Sequence, residues 1–570
     1  MAEEVWMLQT KKADFKQIGA RFRIDPVTAR IIRNRGIEGE AAIDRYLNGT
    51  LDDLYDPMLL KDMERAVSIL CEAVDTGKKI RIVGDYDIDG VCSTYILLQA
   101  FERLGSDVDF EIPDRIKDGY GINESIIEQA HADGVEVILT CDNGISAFHQ
   151  VELAKKYGMT VVITDHHEVP LDGEKEKIPP ADAVIDPKQV DCPYPFPEIC
   201  GAVVAYKLVQ VLYARRGVPQ MEWLDLLEFA AIATVGDVMK LQDENRILVK
   251  YGLKKMAQTK NLGLRRLAEK NNLDLGAITA YHIGFVIGPC LNAGGRLKTA
   301  KEALALLRAQ SEEEAERLAE ELKELNDTRK DMTEQGTEAA KLQVESWYQK
   351  DKVLVVFLPE CHESLAGIIA GRLREYYQKP AIVLTRGEEA VKGSGRSIDE
   401  YHMFKKLTEV SDLLLKFGGH PLAAGLSLEE KNIDEFRRRL NENAGLTEED
   451  FKAKVWIDVP MPVGYVTERL VRELSCLEPF GQGNEKPLFA EKSLRIRASR
   501  VLGRNRNVVK MTLEETDGYA IEALYFGDGT AFEEERAGRR EIDVVYYPDI
   551  NEYNGRKTLQ AVIRRYKFRG

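Results

Sequence analysis

Four short β-rich runs lie between residues 79 and 186, and the polar residues at their ends limit what the chain can build. KIRIVG (79–84), VEVILT (135–140), TVVIT (160–164) and ADAVID (181–186) alternate with helix-like stretches near 91–104, 123–132 and 146–157. Strand, helix, strand at this spacing implies a parallel sheet with crossover helices. In such sheets ligands sit beyond the carboxyl ends of the strands. Asp85, Asp87 and Asp89 follow the first run, Asp142 the second, and Asp165, His166 and His167 the third. Separate loops thus bring acceptors to one edge.

The rest of the chain divides around this unit. At 570 residues it is too long for one core and implies several domains. Residues 1–74 read as mostly helical, 75–245 as the parallel-sheet domain and 246–348 as a helical connector. Within these, DLLEFAAIATVGDVMKL (225–241) is a mostly buried helix ending near Asp237. In 311–343, Ala315, Leu318, Ala319, Leu322, Leu325 and Met332 recur at helical spacing opposite a charged face, which reads as a long solvated spacer. Residues 349–448 alternate again (KVLVVFL, a helix near 364–377, PAIVLTR) and fit a smaller α/β domain. Short strands over 453–570 suggest a small all-β barrel or sandwich.

Composition excludes several classes. Hydrophobic residues at 44 % and charged residues at 31 % are ordinary for a folded soluble protein. No run nears the ~18 apolar residues of a membrane span, and the N-terminus lacks a basic segment followed by an apolar one. A cytoplasmic protein with no membrane partner is expected. Eight cysteines without a CxxC pair argue for buried thiols rather than disulfides or thiolate zinc. The net charge of −16 discourages a nucleic-acid partner only as an average, because residues 451–570 hold 21 Lys and Arg against 18 Asp and Glu.

GDYDIDG (84–90) begins like a calcium loop, but that loop needs a Glu at its twelfth position, where this chain has Ile96, and it follows a helix rather than a strand. A solvated acidic turn does not explain why later strands end the same way. Carboxylates this close repel one another and are neutralised by protons or cations. With Asp142 and His166 nearby, oxygen ligands plus an imidazole favour Mn²⁺ or Mg²⁺ over zinc. Such a cluster holds two ions ~3.5–4 Å apart, the arrangement for phosphoester hydrolysis.

GDYDIDG, CDNGISA (141–147), TDHH (164–167) and ATVGDVM (233–239), in this order, resemble the four motifs of the DHH phosphoesterase superfamily. GPCLNAGGRL (288–297), GSGRS (393–397), GGHPLAAG (418–425) and LEPFGQGNEKPLF (477–489) are similar to its bacterial single-strand-specific 5′ exonucleases. The fold implied is a parallel-sheet DHH domain and a smaller α/β DHH-associated domain joined by a long helix, with a C-terminal OB-fold. By the resemblance, Asp87, Asp142, His166 and Asp237 match metal ligands, Asp142 bridges both ions, and Asp89 completes the second ion's shell. A distant branch carries a His where this chain has Val83, so the first ion has an open position or borrows Asp85. His167 matches a residue beside the substrate, either a donor to the scissile phosphate or leaving oxygen or a support for His166.

Arg115, Arg296, Ser394 and Arg396 match the residues that hold a terminal 5′-phosphate, and His420 lies by the same cleft. Arginine forks and glycine-flanked backbone suit an anion, although GSGRS alone reads equally well as a hairpin turn. Cys290 stands where relatives often carry a basic residue. In the barrel, a basic run (Arg495, Arg497, Arg500, Arg504, Arg506, Lys510) and Tyr525, Phe526, Tyr546, Tyr547 and Tyr553 offer a groove and stacking faces for single strands. The resemblance implies hydrolysis of single-stranded DNA from a 5′-phosphate end, 5′ to 3′, to mononucleotides in recombination and repair, with a helicase and a single-strand-binding protein as partners. The rival is a DHH phosphodiesterase for short oligoribonucleotides or cyclic dinucleotides, and the basic barrel counts against it.

Overall fold

Ile80–Val83 (β1) is buried along its whole length, as a central parallel strand must be. Arg81 lies inside it because Asp109 (2.7 and 2.8 Å) and Asp133 (2.9 Å) bind its guanidinium. Helix Ile88–Arg103 (α1) crosses to Val108–Glu111 (β2), and helices Glu124–Ala132 and Phe148–Lys156 connect Val137–Cys141 (β3) to its neighbours. Thr160–Thr164 (β4) and Ala183–Ile185 (β5) complete a five-stranded parallel sheet ordered β2-β1-β3-β4-β5. Helix Gly201–Arg215 (α2) packs on α1, and helix Leu227–Gly236 (α3) packs on both. The sequence places β1, β3, β4, β5, α1, α3 and the helices 124–132 and 148–156 within a few residues of their observed bounds, and it leaves β2 and α2 unread.

The computed structural model describes residues 4–553 and 555–569. They form two compact units, 54–240 with 244–453, and 4–53 with 241–243 and 454 onward. In the first unit the parallel sheet continues through Gly288–Leu297 (α4) and the 32-residue helix Glu312–Gln343 (α5) to a second sheet. That sheet holds Leu354–Phe357 (β6), Ala381–Arg386 (β7), Val391–Arg396 (β8), Leu414–Gly419 (β9) and Ala423–Leu428 (β10), ordered β9-β10-β8-β7-β6, with helix Ala366–Tyr377 (α6) against β7 and β8. Two sequence expectations change here. GSGR is an interior strand rather than a hairpin turn, and its glycines leave room for Leu384, Leu426 and Met403. The helix read as a solvated spacer packs against α4 and α6 and buries Ala315, Leu318, Ala319, Leu322, Asn326, Thr333, Thr337 and Ala340.

In the second unit Phe489–Leu502 (β11), Val508–Glu514 (β12), Ala520–Phe526 (β13), Glu541–Tyr553 (β14) and Arg556–Arg569 (β15) close into a barrel, because β11 pairs with both β12 and β14. Alternation builds it, with Val509, Met511 and Leu513 pointing inward along β12. Ile31, Ile32, Ile43 and Tyr46 from the N-terminal helices join this core, so residues 4–53 fold with the barrel while helix Met63–Asp75 belongs to the first unit. Among the described residues no helix is long and apolar enough to cross a membrane.

Candidate metal centre and phosphate pocket

Asp87 caps α1, its carboxylate accepting the N–H of Asp89 (2.9 Å) and Gly90 (3.2 Å). Asp142 follows β3 with φ of 60°, a conformation asparagine and aspartate tolerate better than most residues. Asp237 caps the C-terminus of α3. From these separate elements the fold assembles overlapping triads: Asp85, Asp87 and Asp142; Asp89, His166 and Asp237; and Asp142, His166 and His167, each with its donor atoms within 4.8 Å of one another. Asp142 belongs to two of the triads, as a bridging carboxylate would. The His166 Nε2 atom lies 3.1 Å from Asp142 Oδ1, 3.5 Å from Asp89 Oδ2 and 3.8 Å from Asp237 Oδ2.

This donor set fits divalent cations. Asp142 Oδ1 is sealed from solvent with no hydrogen-bond partner, and five carboxylates face two imidazoles. An all-oxygen triad beside one that includes an imidazole is hard-ion chemistry of the Mn²⁺ or Mg²⁺ kind. Burial, and then Asp87, push the Asp85 carboxyl up to about 8. Burial, and then Asp89 and Asp87, push Asp237 up to about 8. Burial and the charges of Asp89, Asp87, Asp85 and Asp237 drive Asp142 well above its ordinary value.

Protons do the neutralising when metal is absent, and linkage fixes the sign. A carboxyl of ordinary value 3.8 raised to about 8 by folding favours the folded state below its ordinary value, an advantage lost as pH rises toward 8. The thermal stabilisation produced by Mn²⁺ over the metal-free protein is therefore expected to grow from about pH 5 to about pH 8. Differential scanning fluorimetry across that range checks it, and a gain that is flat or shrinks with pH contradicts the cluster.

Asp85 and Asp89 each belong to a triad, and both oxygens of Asp89 also accept from the N-terminus of α2, Oδ2 from Gly201 N–H and Oδ1 from Ala202 N–H, each at 2.7 Å. The His167 Nδ1 lies 2.8 Å from Asp165 Oδ1. Burial pulls His167 down, but the hydrogen bond and charge of Asp165, with Asp237 and Asp89 behind it, lift the imidazole to about 9. Asp165 thus favours the charged form of the His167 imidazole.

Beside this centre the same unit gathers arginines. Arg115, Ser394, Lys392 and Tyr86 line a cavity of about 240 Å³. Arg396 donates to Ser394 Oγ (3.1 Å), and Arg296 donates to the Ser364 carbonyl (3.0 Å). Burial, and then the charges of Arg115 and Arg329, lower Arg296 to about 10. Burial, Arg115 and Arg374 lower Arg396. Buried guanidiniums gathered without a carboxylate partner form a site poised for an anion. Arg329 was invisible as a site residue, since it sits on the helix read as a spacer. It donates to Asn326 Oδ1 (2.9 and 3.1 Å), and the Asn326 amide lies 3.3 Å from the Cys290 thiol. Arg329 thus brings a cation from α5 to the neighbourhood of Cys290. His420 lies in the exposed turn between β9 and β10, within electrostatic reach of Glu168.

Comparison with known proteins follows the same order of domains. Family models match for the DHH family N-terminal domain over residues 79–234, the DHHA1 domain over 350–445 and the RecJ OB domain over 457–565. The chain is 36 % identical over 564 residues to the single-stranded-DNA-specific exonuclease RecJ of Bacillus subtilis (strain 168), covering 98 % of this chain and 70 % of that one. With the RecJ of Escherichia coli (strain K12) the identity is 34 % over 563 residues, 95 % of each chain. The chain belongs to the RecJ family. The crystal structure of RecJ in complex with Mn²⁺ from Thermus thermophilus matches with a TM-score of 0.84 at 28 % identity, over 99 % of this chain and 79 % of that one. The RecJ fold of DHH domain, DHHA1 domain and OB domain is the one the sequence motifs imply.

In the RecJ OB domain the barrel aromatics take different roles. Tyr546 is fully buried and Tyr525 packs against Phe532 and Tyr566, so neither is free to stack on a base. Phe526 is exposed, and Tyr547 carries Lys486 (3.7 Å) and Arg564 (5.0 Å) over its ring. The Tyr553 side chain lies outside the described residues. Two of the six residues of the basic run are in ion pairs, Arg497 with Glu514 and Lys510 with Glu522.

Proposed function

We propose that this chain is a metal-dependent exonuclease for single-stranded DNA that hydrolyses phosphodiesters 5′ to 3′ and releases 5′-mononucleotides. The observation that carries this reading is a carboxylate–imidazole cluster and an arginine-lined cavity within one folded unit. Asp85, Asp87, Asp142, His166 and Asp237 would hold two ions, Mn²⁺ or Mg²⁺, with Asp89 either completing the second ion's shell or fixing the cluster to α2. Bound there, the ions supply an activated water and charge for the phosphoryl oxygens.

The remaining roles belong to side chains. Arg115, Arg296, Ser394 and Arg396 hold the terminal 5′-phosphate, and His420 borders the cleft. His167, kept protonated by Asp165, donates to the scissile phosphate as the bond to the departing 3′ oxygen breaks. Water adds to phosphorus, the released nucleotide leaves with a 3′-hydroxyl, and the shortened strand carries a new 5′-phosphate for the same pocket. Phe526, Tyr547 and the unpaired basic residues of the barrel hold the strand without reading sequence. This reading calls for a helicase that exposes the strand, a single-strand-binding protein that coats it, and a cytoplasmic location during recombination and repair.

Digestion of end-labelled single-stranded and duplex DNA with Mn²⁺ tests it. Release of the 5′ label first, as mononucleotide and from single strands, is expected; 3′-first release or equal attack on duplex refutes it. Arg396→Ala is expected to raise KM for 5′-phosphorylated strands about 10- to 100-fold, the worth of a charged hydrogen bond, while 5′-hydroxyl strands change little.

A further inference from the structure

The segment PDRIKDGYG brings together two parts of the site that are distant in sequence. Asp114 forms its turn, accepting the N–H of Ile116 (2.9 Å) and Lys117 (3.1 Å). Gly119 and Gly121, with φ of 79° and 69°, flank Tyr120. Near the start of the segment the Arg115 guanidinium lies 4.5 Å over the ring of Tyr86, the residue between Asp85 and Asp87. Near its end the Tyr120 hydroxyl donates to the Asp142 carbonyl at 2.7 Å. The same oxygen lies 3.0 Å from Nδ1 and 3.2 Å from Nε2 of His167. Gly121 N–H reaches the Asp85 carboxylate at 3.3 Å, and the Tyr86 and Tyr120 rings meet edge to face at 6.4 Å.

We propose that Tyr120 is a positioning residue that couples a 5′-phosphate on Arg115 to the alignment of His167 and Asp142. The inference rests on the function proposed above. Two groups need what Tyr120 provides. Asp142 sits in the left-handed region, where its carbonyl has no strand ladder to fix it, and the tyrosine hydroxyl pins that carbonyl. The His167 side chain is 42 % exposed and is gripped by Asp165 along one edge only, so the Tyr120 oxygen restricts its swing. A terminal phosphate drawing on Arg115 loads Tyr86 and the short turn that carries Tyr120. A 5′-hydroxyl end leaves that load absent. The pocket then reads the end of the strand through the rate of hydrolysis as well as through affinity.

Steady-state kinetics on 5′-phosphorylated and 5′-hydroxyl oligonucleotides separate this from a structural role. Tyr120→Phe is expected to lower kcat on 5′-phosphorylated strands about tenfold, the rate equivalent of one hydrogen bond, with KM within about twofold. On 5′-hydroxyl strands the loss in kcat should be smaller, because the part of the alignment that depends on the phosphate is absent there. Arg115→Ala is expected to raise KM and to erase most of the Tyr120→Phe effect in the double variant, since coupled residues are not additive. Equal loss on both ends, a purely multiplicative double variant, or unchanged kcat overturns the inference. Thermal unfolding and oligonucleotide affinity in EDTA show that each variant is folded. A wild-type protein that fails to hydrolyse single strands with Mn²⁺ refutes the proposed function itself, a result distinct from every failure of Tyr120.

Discussion

Asp142→Asn is expected to abolish hydrolysis of single-stranded DNA while making the metal-free protein more stable. The two effects have one cause. Asp142 belongs to two of the triads, and its buried Oδ1 accepts no hydrogen bond and faces His166 Nε2 at 3.1 Å. Removing its charge removes a bridging ligand, and several kcal/mol of transition-state stabilisation by metal corresponds to a loss of at least about a thousandfold in kcat. Without metal the same charge is a liability, because burial and four neighbouring carboxylates oppose its ionisation. Asparagine is the clean substitution: it preserves the shape and tolerates the positive φ of 60° at this position. Thermal unfolding should show a higher midpoint than wild type in EDTA and a smaller gain on adding Mn²⁺, and single-strand binding by the barrel should persist. Retained cleavage places the chemistry elsewhere, and a lower midpoint in EDTA contradicts the electrostatic account of the cluster.

The features that were legible in the sequence are local ones. A strand that ends in Asp85, Asp87 and Asp89 announces itself, since β-branched residues and carboxylates alternate within ten positions. The arginines of the pocket were read from the family resemblance, with which their glycine neighbours agree. Features set by contacts between distant segments were hidden. Nothing near Arg329 signals an anion, because its relation to Arg296 depends on how α5 packs against α4. Tyr120 stood inside a segment already chosen for Arg115, but its role requires the Asp142 carbonyl and His167, 22 and 47 positions away. Asp89 was read as a ligand from the resemblance, and only the fold reveals that the N-terminus of α2 donates to both its oxygens. The partnership of residues 4–53 with the barrel is of the same kind, since Ile31 and Val459 share a core across more than four hundred residues of chain. Periodicity identifies an apolar face but not the surface that covers it.

Gly201→Ala is expected to disable the enzyme although it changes no ligand. Helix propensity predicts the opposite sign, because alanine at a helical glycine contributes roughly 0.5–1 kcal/mol of stability. Packing decides the outcome. A Cβ on Gly201 would lie 2.7 Å from Asp142 Cβ, 2.9 Å from its Cα and 3.0 Å from its Oδ1. Those atoms are backbone and a short side chain in a packed interior, so α2 or Asp142 must shift by several tenths of an ångström or more. The shift is transmitted twice, since the Gly201 N–H also holds Asp89 Oδ2 at 2.7 Å. Displacing two carboxylates of one cluster should lower kcat/KM about a hundredfold and weaken Mn²⁺ binding, as misplacement on the scale of an ångström does in preorganised sites. Gly371→Ala is the matched control: it lies in helix α6 with nothing within 4 Å of a built Cβ, so activity should be retained and the propensity gain should appear in thermal unfolding. If Gly201→Ala behaves like Gly371→Ala, then Asp142 does not depend on the close approach of α2, and the preorganisation ascribed to that helix is wrong.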